Sequence, residues 1–144
     1  MDHTFVDVGM AVRRLQVRQH RALDAALRSL DVSFVQWDAL RNLHLHPRAS
    51  LRNLAALSYQ SEQAFGTLAA RMAARGLIER VEDTGRAVRH RLTERGDDIL
   101  RRGETQVAQV IERSLAPLTP RQMATFEALL TKLLPPRDPT AFGG

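Results

Sequence analysis

Residues 54–96 read LAALSYQSEQAFGTLAARMAARGLIERVEDTGRAVRHRLTERG, and the order of signals in this stretch decides the fold. SYQS at 58–61 interrupts a helical pattern with small polar residues. Ser61 then caps a new helix, in which Phe65, Leu68, Ala69 and Met72 follow the i, i+3, i+4, i+7 spacing of one buried face. Gly76 stands just past that helix, where a left-handed residue closes the last turn. LIERVE, 77–82, reads as a strand, and DTGR as a tight turn in which Gly85 supplies positive φ. AVRHRL, 87–92, reads as the returning strand, with Val88, His90 and Leu92 on one face and Arg89 and Arg91 on the other. Thr93 caps whatever helix follows.

Upstream, Ser50 caps a short helix that buries Leu51, Leu54, Ala55 and Leu57. Before it lies DVSFVQWDAL, 31–40. Ser33 and Gln36 form a capping box and Val32 with Trp37 the matching hydrophobic staple, so a helix starts near Phe34, and Pro47 marks its end. A first helix is expected over about residues 5 to 30, with Val12, Leu15, Leu23, Ala26, Leu27 and Leu30 as its stripe and Arg13, Arg14, Arg18, Arg21 and Arg28 on other faces.

Downstream, the helix after Thr93 carries the stripe Ile99, Gly103, Val107, Val110, Ile111 and Ser114, and Gly96 and Gly103 are expected to admit another helix at close range. Thr119, Pro120 and Gln122 form a second capping box with Pro at the first helical position. The sixth helix carries Met123, Phe126, Leu129, Leu130 and Leu133 until Pro135-Pro136, and 135–144 reads as a flexible tail. The chain holds no internal repeat and no low-complexity segment.

Composition bounds the function. At 144 residues the chain suggests a single domain, and 44% hydrophobic content with only 5% aromatic predicts a core of Leu, Ala and Val. The formal charge is +5, and all 21 basic residues but Lys132 are arginines, a balance compatible with a polyanion partner. The absence of Cys excludes thiol redox sensing, disulfides and thiolate metal sites. No apolar run approaches the ~20 residues of a membrane span, and the N-terminus lacks a secretory pattern, so a cytoplasmic location is expected.

A short helix, a short turn, a helix and then a hairpin is a winged helix-turn-helix. The expected fold class is therefore mainly α with a small two-stranded wing, the lobe spanning about 33–92. In such a lobe the second helix lies in the major groove of double-stranded DNA. Here that helix runs from about Ser61 to Arg75 and turns Gln63, Gly66, Thr67, Ala70 and Arg71 away from the core. Gln bonds adenine in two places, and Thr bonds a base or packs on a thymine methyl. Gln60, Ser61 and the free amides of the first turn suit phosphates. The arginines of ERVEDTGRAVRHRLTERG, 79–96, make the hairpin the wing: Arg86 at its tip suits a narrow minor groove, and Arg89 and Arg91 suit phosphates.

The stretches LAALSYQSEQAFGTLAARMAARGLIER and RHRLTERG resemble the recognition helix, the wing and the start of the fifth helix in the MarR family of bacterial transcription regulators, and the likeness extends over about residues 5–134. That resemblance implies a homodimer formed by the terminal helices, about 5–30 and 94–134, bound to a pseudopalindromic operator, usually as a repressor. It also implies that small aromatic or phenolic effectors bind between the dimer helices and the DNA-binding lobe, near Trp37. Two positions depart from the family pattern. Thr84 stands where family wings carry the acid of an Asp-x-Arg, with Asp83 one residue off, and Thr67 stands where recognition helices often carry Arg.

Bland readings compete at several sites. Trp37, as a staple residue, reads as core before pocket lining. His44 and His46 resemble a metal pair, but residues two apart on a helix point to opposite sides and no nearby Asp, Glu or Cys completes a set, so no metal site is expected. His20 sits among arginines as a surface or interface residue, and Asp97-Asp98 suit the positive end of a helix. No phosphate loop, nucleophile elbow or carboxylate pair appears, which argues against an enzyme and a cofactor. The chief rival is a winged-helix docking module for another protein.

Overall fold

The structure is a computed structural model and describes residues 4–81 and 88–136. Six α-helices and one hairpin follow in the expected order: α1 (Phe5–Leu27), α2 (Phe34–Leu45), α3 (Leu51–Leu57), α4 (Glu62–Ala74), β1 (Ile78–Val81), β2 (Arg89–Leu92), α5 (Glu94–Leu115) and α6 (Pro120–Leu133). Thr4, Ser33, Ser50, Ser61, Thr93 and Thr119 each cap the helix that follows them, each hydroxyl accepting an N–H of the first turn. Both capping boxes close: Gln36 Oε1 accepts from Ser33 N at 3.1 Å, and Gln122 Oε1 accepts from Thr119 N at 2.9 Å. Such a cap is worth ~1 kcal/mol, and the five read from the sequence, at Ser33, Ser50, Ser61, Thr93 and Thr119, explain why those helix starts were legible.

The first helix ends earlier than its apolar spacing suggests. Residues 28–30 form a 3-10 turn, closed where Asp31 takes φ +58° and donates its N–H to Arg28 O. The stripe also buries less than expected. Leu23 and Leu27 are buried, while Val12 is exposed, because only the second half of α1 has the lobe beneath it. Gln19 Nε2 donates to Ser114 Oγ at 2.8 Å and fixes α1 along α5.

One continuous core joins α2, α3, α4, the hairpin root and the start of α5, with Leu27, Leu40, Leu54, Met72 and Leu77 almost fully enclosed. Trp37 is 4% exposed and its indole N–H donates to Leu100 O at 3.1 Å, so the core reading of this residue holds. Gly103 answers to it, since a Cβ there would overlap the indole and a Leu27 methyl. Gly96 was expected to admit a helix, but it faces the Leu77 carbonyl, in the link between α4 and β1. Thr93 makes that link rigid: its hydroxyl caps α5 and also donates to Gly76 O, and its N–H reaches Leu77 O. Asn42 is the only buried polar side chain among the described residues, and it donates to Asp38 Oδ2 and Ser58 Oγ, tying α2 to the end of α3.

By contrast no residue of α6 is buried among the described residues, and Phe126 is only half-buried. Leu129, Leu130, Leu133 and Leu134 are exposed there, as are Phe5, Val6, Val8, Met10 and Val12 at the other end of the sequence. No helix among the described residues is long and apolar enough to cross a membrane.

Candidate nucleic-acid interface

The hinge of the lobe is the turn between α3 and α4. Ser58 closes α3, Tyr59 takes φ +55°, and the Gln60 N–H returns to Ala55 O at 2.9 Å. This turn aims α4 away from α3, and an ion pair from Arg52 to Glu62 at 3.4 Å spans the two helices. Gly76 at φ +72° ends the segment that α4 begins.

Phe65, Ala69 and Met72 pin one side of α4 in the core. Gln63, Thr67, Ala70 and Arg71 are exposed on its other side, with Gly66 between them and nothing within 4 Å of where its Cβ would stand. Thr67 Oγ1 donates to Gln63 O at 3.2 Å, so its proton is used within the helix while its lone pairs and methyl remain outward. Ser61 is exposed and its hydroxyl accepts from Ala64 N, and Gln60 is half-buried. Arg71 has no carboxylate partner among the described residues, which leaves its guanidinium free for an anion.

The hairpin pairs antiparallel with Ile78 opposite Leu92, Glu79 opposite Arg91, Arg80 opposite His90 and Val81 opposite Arg89. This register carries a contact that sequence reasoning missed. Arg91 Nε donates to Glu79 Oε1 at 2.6 Å, so the carboxylate claims part of the group assigned to phosphate. A DTGR turn over 83–86 would set Glu79 across from His90, so it is the observed register, one residue off, that brings Glu79 to Arg91. Arg89 is half-buried at the turn end of β2, opposite Val81. Arg86 and the rest of the expected turn, 82–87, lie outside the described residues.

His90 faces inward as the strand alternation predicts, against Leu43, Leu51, Phe65 and Ile78. Burial, and then the facing Arg80 guanidinium, hold its pKa below the usual histidine value.

A concavity of about 310 Å³ lies between α2 and α5. Trp37, Leu45 and Leu100 give it apolar wall, Arg41, Arg101, Asp97 and Glu104 give it charge, and His44 lines it as well. Arg101 is held by Asp97 at 3.0 Å one turn back, so Arg41 is the more available cation. His46, two residues on from His44, caps α2 with its N–H on Asn42 O. Among the described residues no three His, Asp or Glu side chains gather as a metal set.

Comparison with known proteins agrees with this architecture. A family model described as MarR family matches residues 30–87. A mutant MarR from E. coli, solved in complex with operator DNA, superposes with a TM-score of 0.81 at 24% identity, over 89% of this chain and 94% of that one. A MarR family protein of Mycobacterium tuberculosis is similar at 27% identity with a TM-score of 0.75 in its salicylic acid complex, over 92% of this chain and 98% of that one. The complex of that protein with p-aminosalicylic acid matches at 29% identity and a TM-score of 0.74, over 87% of this chain and 96% of that one. No curated protein matches the chain. Structural likeness at this identity speaks chiefly for the fold, whereas the family model reads sequence through the helix-turn-helix itself, and together they show a MarR-type winged-helix fold that carries a MarR family helix-turn-helix over residues 30–87.

Proposed function

We propose that the chain acts as a homodimeric repressor on a pseudopalindromic operator and is released by a small aromatic acid or phenol. The observation that carries the DNA reading is the exposed side of α4. Gln63, Thr67 and Arg71 recur at four-residue spacing on a helix whose opposite side is locked in the core. Gln63 and Thr67 read bases in the major groove, Arg71 and the Gln60–Ser61 backbone meet phosphates, and Arg86 of the wing reaches the minor groove. Arg89 and Arg91 add phosphate contacts along β2, Arg91 with the donors that Glu79 leaves free. The similar E. coli protein in complex with operator DNA supports this assignment.

The lobe spans about 33–92, and the flanking helices, about 5–30 and 94–134, form the dimer. Exposed apolar residues on α1 and α6 are what such an interface requires. For the effector we assign the α2–α5 cleft, with the aromatic ring on Trp37, Leu45 and Leu100 and the acid group on Arg41. The salicylic acid complex of the M. tuberculosis relative supports this ligand class.

The test is retention of genomic DNA fragments by the purified protein, followed by gel shift of the selected fragment over a salt series. Specific binding with a steep salt slope is expected, because several arginines displace counterions. Salicylate at millimolar concentration is expected to release the DNA, and Arg41→Ala to blunt that release. A chain that retains no fragment at low salt is a docking module instead.

A further inference from the structure

The turn that aims α4 contains a residue with no role in the lobe so far. Tyr59 sits at φ +55°, in the left-handed region where a Cβ crowds the following carbonyl and Gly or Asn is the ordinary occupant. The turn needs this backbone conformation: Ser58 N reaches Leu54 O, Tyr59 N reaches Ala56 O at 3.2 Å and Gln60 N reaches Ala55 O. Glycine would make the same turn without strain. The side chain gives the fold nothing in exchange, being 96% exposed with no hydrogen bond or ring contact to another described residue. It is the only tyrosine in the sequence. A large ring held in water on a strained backbone points to an external contact.

Its position identifies the contact. Tyr59 precedes the Ser61 cap by two residues, which places its Cα within ~7 Å of the cap. In a helix-turn-helix the first turn of the second helix meets base edges, and the backbone beside it meets phosphates. We propose that Tyr59 is a DNA-backbone anchor: the phenol Oη donates a hydrogen bond to a phosphate flanking the half-site, and the ring covers the adjoining deoxyribose. This rests on the reading of α4 as the recognition helix. A phenol is a neutral donor, so unlike the wing arginines it displaces no counterion. Its contribution is therefore independent of base sequence and of salt.

Unmodified protein, Tyr59→Phe and Tyr59→Gly are compared on the selected fragment and on a scrambled duplex across a salt series. Tyr59→Phe is expected to weaken both duplexes by roughly five- to tenfold while leaving the log K against log[salt] slope unchanged. Tyr59→Gly is expected to weaken them at least as much, with a melting temperature no lower than that of the unmodified protein. Native affinity in both variants would overturn the anchor. So would a loss confined to the selected fragment, which marks base reading, or a flattened salt slope, which marks a lost charge contact. If the unmodified protein binds neither duplex, the DNA reading itself fails and the anchor with it. If it binds and the variants bind equally, only the anchor fails.

Discussion

At Thr67 the hydroxyl proton is held by the Gln63 carbonyl, so under the proposed DNA reading the side chain offers an acceptor and a methyl. Gln63 keeps both its amide donors and its carbonyl, and it is exposed one turn nearer the helix start. Gln63→Ala is accordingly expected to weaken the preferred site by roughly 1–3 kcal/mol while leaving random duplex unaffected. Equal losses on both, measured by competition binding, would remove Gln63 from base reading. A second residue-scale consequence concerns pH. His90 is held below its ordinary pKa by burial and by Arg80. The folded state thus favours the neutral ring, and the unfolded chain binds a proton that the fold resists. Stability is complete above the ordinary histidine value of about 6.5 and falls as pH drops through it. Urea melts between pH 7.5 and 5 should show this loss, and His90→Gln should flatten it. The inward side of β2 was readable from strand alternation, but the ion pair of Arg91 with Glu79 was not read, because it depends on register across the hairpin.

Among the elements, helix starts were the most legible features. A cap is a contact between residues three apart, so the string Ser-x-x-Gln or Thr-Pro-x-Gln contains all of it. Helix ends and glycine roles were less so. Apolar spacing alone carries α1 through Leu30, yet the chain tightens at Arg28 to reach the left-handed Asp31. Gly96 shows the same limit. Its place on the α5 stripe suggests a helix neighbour, whereas the neighbour is the Leu77 carbonyl. In an open helix, Gly→Ala stabilises by about 1 kcal/mol. Here the added methyl would overlap backbone that Thr93 holds in place, so Gly96→Ala is expected to destabilise by roughly 1–3 kcal/mol. A urea midpoint that rises instead would show that the link between α4 and β1 yields easily.

For the whole molecule, the exposed surface is the most informative quantity. Leu133 is 79% exposed and Phe5 97%, and a monomer in water gains nothing from either. Leu129→Asp combined with Leu133→Asp is expected to give monomers by ultracentrifugation, with the lobe intact by its Trp37 fluorescence and DNA affinity reduced at least tenfold through loss of the second half-site. A variant that stays dimeric would move the interface off α6. The sequence by itself determined the order of elements, the caps, the buried side of α4 and the residues that face away from it, because each is set by contacts within about seven positions of chain. Tertiary structure alone decided which stripe found a partner. Trp37 closes on Leu100, Gly96 on Leu77 and Arg91 on Glu79, while no residue of α6 is buried among the described residues. An apolar stripe specifies that a helix must be covered, and only the packing of the other helices specifies by what.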